Sequence, residues 1–287
     1  MKARAPVRGM LIGASALVAV ATSSLARIDD KPHAIVFQPV KSADAGWRAA
    51  ACATVEDGCG EGAGGEEAAA LYRAPGAAAN DYYAILLSGP TLLTLTVDAN
   101  KHWRVKERWS LRDYRPTPDG DGGDRADPPH LFPALYPLGP GDWGVALLTG
   151  RSEMYSGGGA SVENADFLSL KAIAASAQTS AQAAKPVYGG VPFSCSKMIR
   201  ACFSEKDYKA SKHCHDESTG GLRIRYTPAK PGATRHGWTF VWSETDWPQD
   251  TPESKATHET STIDIPPGGV FDASNGAFPY CDGGLME

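Results

Sequence analysis

The chain has 287 residues, 42% of them apolar, with 31 Gly, 21 Pro and a formal net charge of −5. That length suits one large or two small domains, and the apolar share is enough for a real core. An acidic chain is a poor non-specific binder of nucleic acid or anionic lipid, and this much Gly and Pro favours turns and short strands over long helices.

The first 26 residues have the layout of a secretory signal peptide. Lys2, Arg4 and Arg8 form a basic start, Met10 to Ala21 is a short apolar run, and Ser24-Leu25-Ala26 supplies small residues for cleavage after Ala26. The run is too short for a stable membrane span, and no later uncharged stretch approaches the required length. The residue immediately after the cleavage point is Arg27 and not Cys, so a lipid-anchored form is not expected. Losing three positive charges with the leader takes the net charge from −5 to −8. The expected location is the periplasm or the exterior, where disulfides persist.

Strand signals dominate the rest. Tyr82 to Leu87 and Thr91 to Val97 are β-rich runs around Ser88-Gly89-Pro90, which reads as a hairpin. His102 to Leu111 alternates, with Trp103, Val105, Trp109 and Leu111 on one expected face and Arg104, Lys106 and Arg108 on the other; Glu107 breaks the pattern. Asp119 to Pro129 reads as an acidic loop. Trp143 to Leu148 and Ala165 to Ala172 are further strand candidates. Ala172 to Ala184 lacks an apolar stripe and reads as a linker ending at Lys185-Pro186. Ser204-Glu205-Lys206-Asp207 resembles a capping box before a short helix. Leu222, Ile224 and Tyr226, then Trp238, Phe240 and Trp242, alternate with polar or smaller residues. Thr257 to Ile265 is a Thr/Ile-rich strand candidate. The expected architecture is all-β and mainly antiparallel, sandwich-like or propeller-like, with little helix. Two lobes are expected, 27–172 and 187–287, joined by a linker at 173–186.

The linker leaves an even number of cysteines on each side, with Cys52 and Cys59 before it and Cys195, Cys202, Cys214 and Cys281 after it. All six are expected to be oxidised within their lobes. Short loops favour Cys52–Cys59 and Cys195–Cys202, leaving Cys214–Cys281.

Chemistry-bearing motifs are few. His213-Cys214-His215-Asp216 is the densest cluster of ligand-type residues, and on a strand its two histidines share a face, with Asp216 or Glu217 as helpers. No second His or Cys pair completes four ligands, so no metal or other cofactor is expected. The acidic run Asp119 to Asp124 fails the EF-hand pattern, with Asp124 where Gly belongs and His130 where Glu belongs. The G-x-S-x-G, H-E-x-x-H and phosphate-loop patterns are absent, so no catalytic residue is assigned. The best candidate binding surface is the basic face of Arg104, Lys106 and Arg108, facing a protein partner with an acidic patch. Two readings compete with it: pairing of these cations with the nearby Asp119, Asp121, Asp124 and Asp127, and edge-strand protection. The leading functional expectation is an exported non-catalytic binding protein, such as a periplasmic inhibitor or immunity protein. The alternative is an exported hydrolase acting on cell-wall glycan or peptide.

Overall fold

The structure, a computed structural model, describes residues 31–55, 59, 68–87, 89–116, 127–179, 184–266, 271 and 281. Residues 1–26, expected to form a leader, and residues 119–126 of the acidic loop lie outside these. In chain order the elements are β1 (Ile35–Val36), β2 (Gln38–Pro39), α1 (Gly46–Cys52), β3 (Ala69–Arg73), β4 (Asp81–Leu86), β5 (Thr91–Val97) and β6 (Trp103–Ser110). They continue with β7 (His130–Leu131), β8 (Ala134–Gly139), β9 (Asp142–Tyr155), β10 (Gly158–Ser169), α2 (Leu170–Thr179) and β11 (Tyr188–Arg200). The last are α3 (Glu205–Ala210), β12 (His215–Thr227), β13 (Gly237–Trp247) and β14 (Thr257–Ile265), with a single 3-10 turn at Glu253–Lys255. The all-β, antiparallel expectation holds.

The strands form two stacked sheets. A five-stranded sheet runs β2-β3-β4-β5-β6, and a nine-stranded sheet runs β1-β8-β9-β10-β11-β12-β13-β14 with β7 added on β9. The arrangement is therefore one of stacked sheets and not of blades. The chain changes sheet at Phe37, whose ring stacks on Tyr83 at 4.2 Å.

The middle of the molecule is β8, β9 and β10, buried on both faces. Leu135, Val145, Leu147 and Leu168 point at the small sheet and meet Phe37, Ile85, Leu92 and Leu111. Their neighbours Tyr136, Ala146, Leu148, Ala165 and Phe167 point the other way and meet Tyr188, Trp238, Phe240 and Ile265. Period-two alternation with both faces apolar produces near-continuous hydrophobic runs, as in Val145 to Leu148. Asp166 is buried between the sheets, accepting hydrogen bonds from the Tyr114 hydroxyl at 2.9 Å and the Gly190 N–H at 2.8 Å. On the outer face of the small sheet, Ala51 of α1 packs with Leu71, Leu93, Leu95, Trp103 and Val105.

The large sheet folds over on itself. The Trp238 indole N–H donates to the Pro137 carbonyl at 3.1 Å, and the His236 N–H donates to the Leu138 carbonyl at 2.9 Å. Gly139 permits this approach, because a Cβ there would collide with the Thr234 carbonyl oxygen. His236 Nδ1 accepts from the Ala229 N–H at 2.9 Å, and burial holds its pKa below the usual histidine value. The unfolded chain therefore takes up this proton first, and the contribution of neutral His236 is present above about pH 6.5 and lost as pH falls below it. Urea unfolding from pH 7.5 to 5 should show a smaller loss of midpoint in His236→Gln than in the wild-type chain; identical profiles would remove His236 from the account.

The structure departs from two expectations. In place of a linker at 173–186, α2 runs to Thr179, and β10 and β11 on either side are hydrogen-bonded neighbours. A cut at this segment passes through one sheet. The helix is anchored by a short stripe, since Ile173 is 2% exposed and Leu170 packs beside it, and the Ser169 Oγ accepts from the Ala172 N–H. The disulfides are Cys52–Cys59 as expected, but Cys195–Cys281 and Cys202–Cys214 replace the other two expected pairs. Extended strand is the reason: Cys195 lies inside β11, which continues to Arg200, and those five residues alone span about 17 Å. No bridge joins Cys52 or Cys59 to the other four cysteines.

Candidate functional site

β6 is an edge strand, and the basic face expected there does not form. Val105 pairs with Leu95 while Glu107 pairs with Thr94, so Lys106 is an extra residue in the ladder. A bulge of this kind shifts the alternation to the other face. Trp103 and Val105 accordingly pack on the α1 side, whereas Trp109 and Leu111 pack toward the large sheet. Arg104 stands opposite Thr96 and Arg108 opposite Leu93, so these two arginines project from opposite faces. Lys106 Nζ lies 3.4 Å from both carboxylate oxygens of Asp81. The break at Glu107 is the sequence mark of the bulge. Lysine and a bulge on an edge are devices against sheet-to-sheet pairing.

The structure concentrates polar side chains elsewhere, at the outward face where β12, β13 and β14 run beyond the core. Inward positions on these strands carry Leu222, Ile224, Trp238, Phe240 and Trp242, so the intervening positions face out. Paired outward positions bring Glu217 beside Trp247, Thr219 beside Thr245, and Thr245 beside His258. With Glu253, Ser254 and Ala256 these residues line an open cleft of about 650 Å³. The volume falls within the range of about 300–1,000 Å³ typical of small-molecule sites, but the walls are more polar than is usual there.

His213 sits at one end of this face. The Cys202–Cys214 bridge fixes the backbone beside it, and its carbonyl accepts the Asp250 N–H at 3.1 Å. Upstream, α3 has the expected capping box: Ser204 Oγ accepts the Asp207 N–H and Asp207 Oδ2 accepts the Ser204 N–H. The Ser204 side chain, with the backbone N–H groups of Phe203 and Ser204, holds the Asp207 carboxyl below the usual range. The His213 ring lies flat on Trp247, centroids 3.6 Å apart and 2° between planes. The Trp247 indole N–H donates to the Thr251 carbonyl at 2.7 Å and so ties down the loop that edges the cleft.

The His213 side chain is 9% exposed, and its buried Nε2 has no hydrogen-bond partner. Leaving such a group unmet costs about 1–3 kcal/mol. Nε2 lies 3.9 Å from Glu217 Oε1, and His215 Nδ1 lies 3.9 Å from the same oxygen. Both distances are too long for hydrogen bonds. The three donor atoms all lie within 4.8 Å of one another. Asp216, on the opposite face, instead accepts the Gln249 N–H at 2.8 Å.

A second ligand-type cluster, Cys195, Glu244 and Cys281, is structural. Its two sulfurs are bonded to each other, and Glu244 Oε2 accepts from the Trp242 indole and the Cys281 N–H, each at 2.9 Å. The fold and its clefts thus describe a double-sheet, disulfide-bonded β protein with a polar outward site at one end. No family model, curated protein or solved structure matches the chain. Trp247 and His258 were not legible as site residues in the sequence; a signal existed only in Trp247 continuing the alternation of Trp238, Phe240 and Trp242 outward after an odd step.

Proposed function

We propose that the protein is an exported, non-catalytic binding protein of the inhibitor or immunity type, and that it engages its partner by adding a strand to the free edge of β14. The observation that carries this reading is the contrast among the sheet edges. β1 and β2 are two residues long, β2 ends in Pro39, and β6 is bulged at Lys106. β14 runs nine residues in unbroken register with β13, has no Pro, Lys or Arg, and has no strand on its other side among the described residues. An edge of this length, without Pro, Lys or a bulge, is a template for an extended segment of another chain. Glu259 and Asp264 on the strand favour a segment carrying Lys or Arg. This replaces the partner with an acidic patch, whose motive was a basic strip that the bulge divides. Three disulfides and the secretory leader support export.

The test is capture of partners from an extracytoplasmic extract by the mature chain, which should begin at Arg27. Amide hydrogen exchange is then followed on the purified complex. Alternate amides of residues 257–265 should slow on binding, because a new strand takes up the outward-pointing groups. A partner that protects another surface would overturn the edge reading. Turnover of cell-wall glycan or peptide by the pure protein would establish the hydrolase alternative instead.

A further inference from the structure

From the buried, unpartnered His213 Nε2 and the donors converging on it, we infer that His213, His215 and Glu217 form a binding site for a late first-row divalent cation, with zinc the expected occupant. This inference stands apart from the β14 edge and holds or fails without it.

The donor set selects the ion. Two imidazoles and one carboxylate suit Zn²⁺ and its neighbours, whereas Ca²⁺ and Mg²⁺ prefer all-oxygen shells. The arrangement is organised before any ion arrives. His215 and Glu217 are two apart on β12 and share its outward face. His213 is held by its stack on Trp247 and by the bridge at the adjacent Cys214. Donors about 2.0–2.2 Å from a tetrahedral zinc stand about 3.4 Å apart. The His213–His215 donor separation, at most 4.8 Å, has to close by up to about 1.4 Å through rotation of the partly exposed His215, and the two 3.9 Å separations by about 0.5 Å. Rotation of Glu217, about one-third exposed, can supply the latter. Three protein ligands leave a fourth position open, and Glu217 and Trp247 place it beside the cleft.

The expectation of no metal rested on the lack of a second His or Cys pair. The third donor is instead a carboxylate two residues further along the same strand, and the fourth position needs no protein ligand.

Tag-free mature protein is titrated with Zn²⁺ by calorimetry at pH 7.5, and with Co²⁺ by visible absorption. One ion per chain should bind, with Co²⁺ giving the d–d bands of a four- or five-coordinate site. Millimolar Mg²⁺ or Ca²⁺ should not compete. His215→Ala and Glu217→Gln should each weaken Zn²⁺ at least about tenfold, while His102→Ala, on the far sheet, should not. These two positions are partly exposed, so unchanged thermal unfolding without metal should confirm that both variants fold. No binding below 1 mM Zn²⁺, on the order of the weakest specific sites, would overturn the inference. So would wild-type affinity in both ligand variants.

Discussion

Replacing Cys195 and Cys281 with serine should destabilise the protein more than losing either other bridge. The chain-entropy estimate for a separation of 86 residues is about 4–5 kcal/mol, against about 2.5 kcal/mol for the separation of seven in Cys52–Cys59. Packing adds to the difference. Cys281 is 1% exposed and sits against Val162 and the fully buried Trp242, and its N–H satisfies the buried Glu244 carboxylate. With the bridge gone, nothing covalent holds Cys281 there, and Glu244 loses one of its donors. Gly220 shows how tightly this corner is filled, since a Cβ there would run into Trp242 and Cys195 Sγ. For a domain of this size the melting temperature should fall by roughly 10–15 °C. Thermal unfolding of C195S/C281S beside C52S/C59S checks the order. A smaller loss in the first variant would mean that Cys281 is not tied to β11, and peptide mapping without reductant would show which cysteine holds it.

Local patterns were legible in the sequence, and long-range ones were not. The hairpin of β4 and β5, the strand at Thr257–Ile265, the capping box at Ser204 and the inward face of Trp238, Phe240 and Trp242 all follow from residues near one another in the chain. β11 is not expected from the sequence, and β9 and β10 are longer than their apolar runs, because Gly, Ser and Glu there break the alternation into short pieces such as Ala160 with Val162 and Val191 with Phe193. Their pairing with neighbours holds them as strands, and pairing is not a local property. The helix α2 was hidden by its composition, with only Leu170 and Ile173 marking its buried side. The candidate site repeats the lesson. His213 and His215 stood out as a pair, but Trp247 reaches them only through the register of β12 with β13, which sets Glu217 opposite Trp247. In the same way one extra residue at Lys106 turned a convincing basic face into two separate arginines.

Trp238→Ala should unfold the doubled-over part of the large sheet, at a cost of about 3–5 kcal/mol. Trp238 is 1% exposed, and its ring meets Tyr136 of β8, Phe167 of β10, Tyr188 of β11, Tyr226 of β12 and Phe240 of β13. It is therefore the side chain through which five strands share one core. It also gives the Pro137 carbonyl its donor, so truncation leaves both a cavity and an unmet acceptor. Trp238→Phe separates these effects. It keeps an aromatic ring and loses the N–H, and should cost distinctly less than the alanine variant, by about 2 kcal/mol or more. Trp247→Ala is the informative contrast. Trp247 is half-buried on the outward face, so its loss should lower global stability by only about 1 kcal/mol. It removes the surface on which His213 lies, however, and should weaken Zn²⁺ binding while the fold persists. Chemical denaturation of the three variants, with Zn²⁺ titrated against each that folds, distinguishes core from site. Equal destabilisation by Trp238→Ala and Trp247→Ala would mean that the end of the sheet is as integral to the core as its middle, and the division between scaffold and site would fail.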